Sequence, residues 1–171
     1  EILIMMDGDG QHRPEDLPKL LKGMGTYDMV VGARTETSKT SLHRRLANRL
    51  YNAFAGYVCG RRIPDLTSGF RAVRASIARD FLPLLPNSFS YPTTLTLAVV
   101  RTGYSLLYVP IEAETRIGKS KIQPLRDGSR FFMIIVKIAT LFSPMRVFLP
   151  VSAAMFLTGV GYGLLRILFM G

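Results

Sequence analysis

The chain has 171 residues, enough for one ordinary domain with its own core and a short appendage. Its 22 Lys and Arg exceed its 12 Asp and Glu and give a net charge of +10, which favours nucleic acid, phosphorylated substrates or an acidic membrane surface as partners. The single cysteine, Cys59, excludes an intramolecular disulfide framework and a multi-thiolate metal site, and we expect it to be buried.

Apolar periodicity predicts alternating strands and helices along the first two thirds of the chain. Strands are expected over 1–6, 28–32, the end of a turn-and-strand segment at 65–73, and 104–109; helices are expected over 14–22, 41–57, 76–84 and 92–102. This alternation predicts an α/β fold with a mostly parallel sheet. The first strand reads as buried, which requires a neighbour on each side, so we expect this sequence to be a fragment of a longer protein.

The carboxy-terminal end changes composition abruptly. Residues 147–165 contain 19 residues without a charge, and a helix of that length spans roughly the ~30 Å hydrocarbon core of a bilayer. We therefore predict a transmembrane helix over 146–171, with a buried helix of a soluble domain as the alternative.

The segment before it, 122–145, is predicted to be an amphipathic helix in the membrane interface. Arg126, Arg130 and Lys137 fall on one helical face, and apolar side chains cover the remainder. The alternative is a helix packed on the core with a solvated basic face. The positive-inside rule then places the amino-terminal domain, 1–121, on the cytoplasmic side.

The sharpest chemical signal is the sequence Asp7-Gly8-Asp9-Gly10-Gln11 directly after the first strand. Carboxylates at i and i+2 of an extended segment point to one side, within ~7 Å of each other, where one hard cation can bridge them. Gln11 adds a third oxygen on that side. The oxygen donors suit Mg²⁺ or Mn²⁺ with open positions for substrate phosphates. His12 is either a further ligand or a neighbour with ordinary hydrogen bonds, and we favour the neighbour.

A leaving diphosphate needs cations around it. Arg34 directly follows the second strand, where a cation would reach the same edge of the sheet, although an ordinary surface arginine has the same appearance in a sequence.

Five motifs together resemble the inverting family 2 glycosyltransferases of the GT-A fold, in the polyprenyl-phosphate branch that includes dolichyl-phosphate mannose synthase. They are DGDGQHRPE at 7–15, VVGAR at 30–34, DLTSGFRA at 65–72, GYSLLYVPIE at 103–112 and RIGKSK at 116–121. The resemblance implies a Rossmann-like GT-A domain that lacks its amino-terminal part, the part that holds the nucleotide base. It also makes nucleic acid a poor candidate partner.

The resemblance implies specific roles at matching positions. Asp7, Asp9 and Gln11 would bind the divalent cation, and Asp65 and Arg116 would be catalytic. Contacts with donor or acceptor phosphates would come from the following set: Arg34, Arg44 or Arg45, Asn48, Arg71, Lys119, Ser120 and Lys121.

The expected reaction is inverting, metal-dependent transfer of a sugar from a nucleotide sugar to a polyprenyl phosphate at the cytoplasmic membrane face. A phosphate acceptor is already anionic and needs little deprotonation, so Asp65 is either a base or a group that orients Arg71 or the loop. The alternatives are a family 2 transferase that acts on a sugar hydroxyl, for which Asp65 must be a true base, and an inactive membrane-associated fragment.

Overall fold

A computed structural model describes residues 1–35, 42–86, 91–114 and 124–170. Its strands are β1 (Ile2–Met5), β2 (Met29–Arg34), β3 (Arg71–Arg74) and β4 (Leu106–Ile111). Its helices are α1 (Leu17–Gly23), α2 (Leu42–Cys59), α3 (Ala75–Phe81), α4 (Tyr91–Arg101), α5 (Pro124–Phe142) and α6 (Pro144–Met170), with 3-10 turns at Pro14–Asp16 and Leu82–Leu84. The predicted α/β architecture is confirmed, because each predicted strand and helix has a counterpart.

The strands form one sheet in the order β1-β3-β2-β4. β2 and β4 are parallel, whereas β3 runs antiparallel to both β1 and β2. Three of the four strands therefore point the same way, as predicted for a mostly parallel sheet. Because β3 is reversed, its amino end lies at the edge where β1, β2 and β4 have their carboxyl ends. The segments after β1 and β2 and the loop before β3 thus meet at one edge.

Helices cover both faces of the sheet. Met29 and Val31 of β2 point to one face, where they pack with buried residues of α3 and α4. Val30 points to the other face and packs with Leu20 of α1 and with Phe70. This alternation is the period-two pattern of a strand that is buried on both sides.

Strand β1, which the sequence predicts to be a buried strand with a neighbour on each side, has only one neighbour among the described strands. Ile2, Leu3 and Ile4 are 40–47% exposed, since β1 lies at the end of the sheet and pairs only with β3 among the described strands.

Helices α5 and α6 follow the domain. On α5, Ile135 and Ile138 are buried against residues of α2 and α4, while Phe132, Met133 and Leu141 are exposed. The helix thus packs on the core and also presents a second apolar surface. Lys137 is exposed, and the side chains of Arg126 and Arg130 lie outside the described part of the chain.

Helix α6 is long and apolar enough to cross a membrane over Pro144–Phe169, by length and composition, and that stretch is unburied. A largely exposed apolar helix of this length is typical of a membrane-associated segment. Its first turn is attached to the domain: Arg146 donates through Nη1 to the carbonyls of Tyr57 (2.7 Å) and Val58 (3.3 Å), and Tyr57 Oη donates to the Arg146 carbonyl (2.9 Å).

Candidate active site

Asp7 sits at the carboxyl end of β1, directly against the loop that leads into β3. A methyl group added to Gly69 would overlap the Asp7 carboxylate, so only glycine allows this approach. The side chain of Asp7 is 47% exposed, which leaves one side open to a ligand. The contact explains why a glycine of the 65–72 motif and an aspartate of the 7–15 motif occur together in one site.

His12 is buried next to the Asp7 carboxylate. Its side chain is 5% exposed and its ring stacks on Phe70, with centroids 5.2 Å apart and an interplanar angle of 22°. Its Nε2 lies 3.9 Å from Asp7 Oδ2. The nearby His12 ring is the main cause that lowers the pKa of Asp7, and it outweighs the opposing effect of burial, with further help from the charges of Arg71 and Arg34. The carboxylate is therefore held in its ionised form, as a cation ligand requires.

Asp9 and Gln11 lie in the turn after Asp7. The Gln11 backbone N–H donates to Asp9 Oδ1 (3.3 Å), while its side-chain nitrogen donates to the Glu114 carbonyl (3.3 Å) and its own carbonyl accepts from the Glu114 N–H (3.0 Å). These bonds fix the turn against the segment after β4. They leave Oε1 as the side-chain atom with which Gln11 would bind a cation.

The donor set fits a divalent cation of the Mg²⁺ type. Within the described ranges, no group of three or more His, Cys, Asp and Glu side chains is arranged to hold a metal ion. Mg²⁺, however, is ordinarily held by one or two carboxylates, with water and substrate phosphates completing the shell. An ionised, half-exposed Asp7 next to Asp9 satisfies that requirement, and His12 is more consistent with a supporting neighbour than with a ligand.

Arg34 and Asp65 form a bidentate ion pair at the end of β2. Arg34 Nε donates to Asp65 Oδ2 and Nη2 donates to Oδ1, both at 2.8 Å, and the Arg34 backbone N–H also donates to Oδ2 at 3.1 Å. Thr67 accepts from Nη2 at 2.5 Å and donates to Asp65 through its own backbone N–H at 3.2 Å. The guanidinium is thus held in one orientation at the site edge.

Asp65 is poorly suited to act as a base in this arrangement. It is 5% exposed, and both of its oxygens accept hydrogen bonds. Burial, the largest single influence, acts to raise the pKa of Asp65, but the hydrogen bonds and charge of Arg34 together hold that pKa below its ordinary range. Of the two expected partners of Asp65, Arg71 and the loop, the structure shows a contact with the loop through Thr67, and it adds the ion pair with Arg34.

Asn52 of α2 holds the loop that carries Asp65. Its side-chain nitrogen donates to the Pro64 carbonyl (2.7 Å), and its Oδ1 accepts from the Leu66 N–H (3.0 Å). The two bonds bracket Asp65 in the chain, so α2 sets the position of the carboxylate that orients Arg34.

Arg71 lies inside the fold. It is 0% exposed, and its guanidinium donates to the carbonyls of Ser68 and Pro92 and to Thr96 Oγ1, while Tyr91 lies with its ring centroid 6.0 Å from the guanidinium carbon. Burial lowers the pKa of this guanidinium, which nevertheless stays protonated. In this structure Arg71 supports the site from within the sheet and does not face a substrate phosphate.

The other predicted phosphate contacts are only partly described. Arg45 is exposed and Asn48 is half-buried on α2. The side chain of Arg44 and all of Arg116, Lys119, Ser120 and Lys121 lie outside the described residues. Their roles stay predictions.

Sequence reasoning missed three contributors: Gly69, Thr67 and Asn52. The first two belong to the 65–72 motif, whose glycine and hydroxyl residues were a usable signal. Asn52 gave no signal, because a polar residue on a helix face is ordinarily solvated.

Comparison with known proteins places these observations in a family context. Residues 1–82 match the family model described as Glycosyl transferase family 2. The chain is 30% identical to an undecaprenyl-phosphate mannosyltransferase of Micrococcus luteus over 71% of this chain and 53% of that protein. It is also 30% identical to a polyprenol monophosphomannose synthase of Mycolicibacterium smegmatis (81% and 54%) and 28% identical to a dolichyl-phosphate hexose transferase of Haloferax volcanii (80% and 60%). The chain thus spans about half the length of the curated relatives it matches.

Proposed function

Residues 1–82 belong to glycosyl transferase family 2, and from that premise we propose that the protein transfers a sugar from a nucleotide-sugar donor to a polyprenyl phosphate, with inversion. The printed names of the relatives support the acceptor class, since each is a polyprenyl- or dolichyl-phosphate sugar transferase. The observation that carries the proposal is the Arg34–Asp65 pair at the same sheet edge as Asp7. It provides a fixed cation next to an ionised carboxylate, which suits a diphosphate.

Asp7, Asp9 and Gln11 would hold Mg²⁺ or Mn²⁺, which supplies positive charge to the departing nucleoside diphosphate when bound. Arg34 adds a cation whose orientation is set before the substrate arrives, so no reorganisation is needed as charge develops. His12 keeps Asp7 ionised, and Gly69 provides the space for its carboxylate.

The chemical step is a displacement at the anomeric carbon. An acceptor phosphate oxygen forms the new bond, the bond from that carbon to the donor diphosphate oxygen breaks, and the electron pair leaves with the diphosphate. An acceptor that is already anionic requires no base. This matches an Asp65 whose oxygens are occupied and whose pKa is lowered.

We place this reaction at the cytoplasmic membrane face. Arg146 lies just before the uncharged run of α6 and is joined to the domain, so the domain is on the side from which α6 enters the bilayer. Exposed Lys137 on α5 adds positive charge on the same side, which the positive-inside rule assigns to the cytoplasm.

The test is transfer of labelled sugar by the purified full-length protein in lipid, because we expect the sequence over 1–171 alone to be inactive. Candidate nucleotide sugars are offered with undecaprenyl phosphate, with dolichyl phosphate, or with a free sugar as the hydroxyl acceptor. The label is then counted in the organic and aqueous phases. The anomeric configuration is read by nuclear magnetic resonance. We expect label in the lipid fraction only with a polyprenyl phosphate, with inverted configuration and with dependence on Asp7. Label on the free sugar alone would contradict the proposed acceptor, and retained configuration would contradict the mechanism.

A further inference from the structure

Tyr91, the first residue of α4, brings an aromatic side chain to the edge of the sheet where Asp7 lies. Its hydroxyl donates to the Gly69 carbonyl at 3.4 Å, and the Asp7 carboxylate occupies the space that a Cβ of the same glycine would need. The two side chains therefore meet at one residue of the loop before β3. The sequence motifs assign no role to Tyr91.

The ring of Tyr91 is held from inside the fold. Its centroid lies 6.0 Å from the guanidinium carbon of Arg71, which is itself fixed by donation to the carbonyls of Ser68 and Pro92 and to Thr96 Oγ1. These contacts join the first turns of α4 to the loop before β3. Tyr91 is only partly buried, so the ring is positioned before a ligand arrives and still leaves part of its surface open.

Tyr91 and Arg34 approach this edge from opposite faces of the sheet. Val31 of β2 packs with α4, on the face that carries Tyr91. Arg34 is three residues further along β2 and pairs with Ile111 of β4, which packs on the other face. A diphosphate bound between Asp7 and Arg34 would thus leave the α4 side of this edge to the sugar that it carries.

The chemistry of a phenol suits a sugar better than a phosphate. A phenol both donates and accepts hydrogen bonds, as a sugar hydroxyl does, and its apolar ring suits the C–H groups of a sugar ring. Burial and the charge of Asp7 raise the pKa of Tyr91, so the side chain stays neutral and keeps a proton to donate. Its bond to Gly69 is longer than an ordinary O–H···O bond, so a sugar hydroxyl can replace it.

We propose that Tyr91 contacts the sugar of the donor and helps to select it, with its ring against the sugar ring and its hydroxyl bonded to one sugar hydroxyl. The inference rests on the proposed function, because it requires a nucleotide-sugar donor at Asp7. A site that bonds to a particular hydroxyl rejects a sugar that lacks it, since the group in the site loses its partner. Tyr91 thus determines specificity and takes no part in bond making or breaking.

The test compares a nucleoside diphosphate with the nucleotide sugar derived from it. Full-length protein that carries Tyr91→Phe or Tyr91→Leu is titrated by calorimetry with GDP and GDP-mannose, and with UDP and UDP-glucose. Tyr91→Phe keeps the ring and removes the hydroxyl. For the nucleotide sugar that the wild type binds more tightly, we expect Tyr91→Phe to lower affinity about fivefold, with no change for the diphosphate. Tyr91→Leu should lower the nucleotide-sugar affinity further, because it also removes the ring.

A matched control removes a hydroxyl elsewhere. Tyr104 lies beyond the other end of α4, where its ring packs edge-on against Phe81, so Tyr104→Phe should leave all affinities unchanged. Monodeoxy versions of the bound nucleotide sugar then identify the hydroxyl that Tyr91 contacts. With one of them, wild type and Tyr91→Phe should bind equally, because the partner of the phenol is missing.

The outcomes separate the sugar contact from the proposed function. A wild type that binds none of these nucleotides and transfers no sugar would contradict the proposed function, and the sugar contact with it. Normal wild-type transfer, together with unchanged nucleotide-sugar affinity in both Tyr91 variants, would overturn the sugar contact alone. Equal losses for the diphosphate and the nucleotide sugar would assign Tyr91 to the diphosphate or the nucleoside and would also overturn it.

Discussion

The Arg34–Asp65 pair provides the most informative perturbation, because a base and a positioning group respond differently to a double-mutant cycle. The variants are Arg34→Gln, Asp65→Asn and the double substitution. If Asp65 acts only by holding Arg34, either single change releases the guanidinium from its orientation, and the second change has little left to remove. If Asp65 is a base, its loss is independent of Arg34.

The structure sets the magnitude. Asp65 contributes two charged hydrogen bonds of 2.8 Å to Arg34, with side-chain exposures of 24% for Arg34 and 7% for Asp65. Hydrogen bonds to charged groups are worth about 1.5–3 kcal/mol each, and loss of one partner of a buried pair costs about 3–5 kcal/mol. Partial exposure of Arg34 and the acceptor that asparagine retains both reduce the effect. We therefore expect a coupling energy of about 2 kcal/mol, or about thirtyfold in affinity.

The assay is calorimetric binding of a nucleoside diphosphate to the full-length protein that carries each substitution, together with thermal unfolding. Both single variants should weaken binding by similar factors, and the double variant should be close to the weaker single. Normal binding of the nucleoside diphosphate by Asp65→Asn, with loss of turnover alone, would instead identify Asp65 as a base.

The same pair predicts a pH dependence of stability. The folded-state pKa of Asp65 is lowered, so its contribution is complete above the ordinary aspartate range and is lost only as the pH falls through the folded value. The difference in unfolding free energy between wild type and Asp65→Asn should therefore be constant from neutral to mildly acidic pH and should shrink below that range. A difference that already shrinks near neutral pH would show that Asp65 is not the lowered carboxylate.

Further predictions concern the cation site and the core. Gly69→Ala should displace the Asp7 carboxylate and weaken Mn²⁺ binding by about tenfold in titrations followed by electron paramagnetic resonance, whereas Gly25→Ala, which meets only an ordinary 3.8 Å contact, should bind normally. His12→Phe keeps an aromatic ring stacked on Phe70 but removes the imidazole beside Asp7. Mn²⁺ affinity should therefore fall while thermal stability changes little. Unchanged affinity would contradict the supporting role of His12. Chelation should abolish sugar transfer, and added Mn²⁺ should restore it. Burial raises the pKa of Cys59 to about 11, so maleimide should label it at neutral pH only on unfolding.

The order of strands and helices could be predicted because strand and helix periods are local properties of the sequence. The convergence of Asp7 and Arg34 followed from the rule that parallel strands present their carboxyl ends at one edge. The pairing of Arg34 with Asp65 could not be predicted, since it depends on reversed β3 lying between β1 and β2. That reversal brings the loop before β3 to the same edge.

The periodicity of α2 predicted an apolar stripe but gave no information about what the stripe contacts. Helical spacing places Leu46, Leu50 and Tyr57 on one face whether the neighbour is a protein core or a bilayer. The side chains that pack inward are Ala55, Val58 and Cys59, and the partly buried Phe54 stacks on Phe132 of α5. Leu46, Leu50 and Tyr57 are 52–70% exposed in the described part of the chain, whereas a search for the most apolar stripe assigns them to the core.

The occupied state of Asp65 also bears on which acceptor the site suits. A sugar hydroxyl loses its proton only at high pH, so a transferase for such an acceptor needs a carboxylate with an oxygen available to take that proton. Both oxygens of Asp65 accept from Arg34, and its lowered pKa makes it a weaker proton acceptor than an ordinary aspartate. A phosphate monoester arrives with an anionic oxygen and needs cations to offset its repulsion from the donor diphosphate. Asp65 fixes the position of Arg34 and has no oxygen left to act as a base, which supports the phosphate acceptor that we propose.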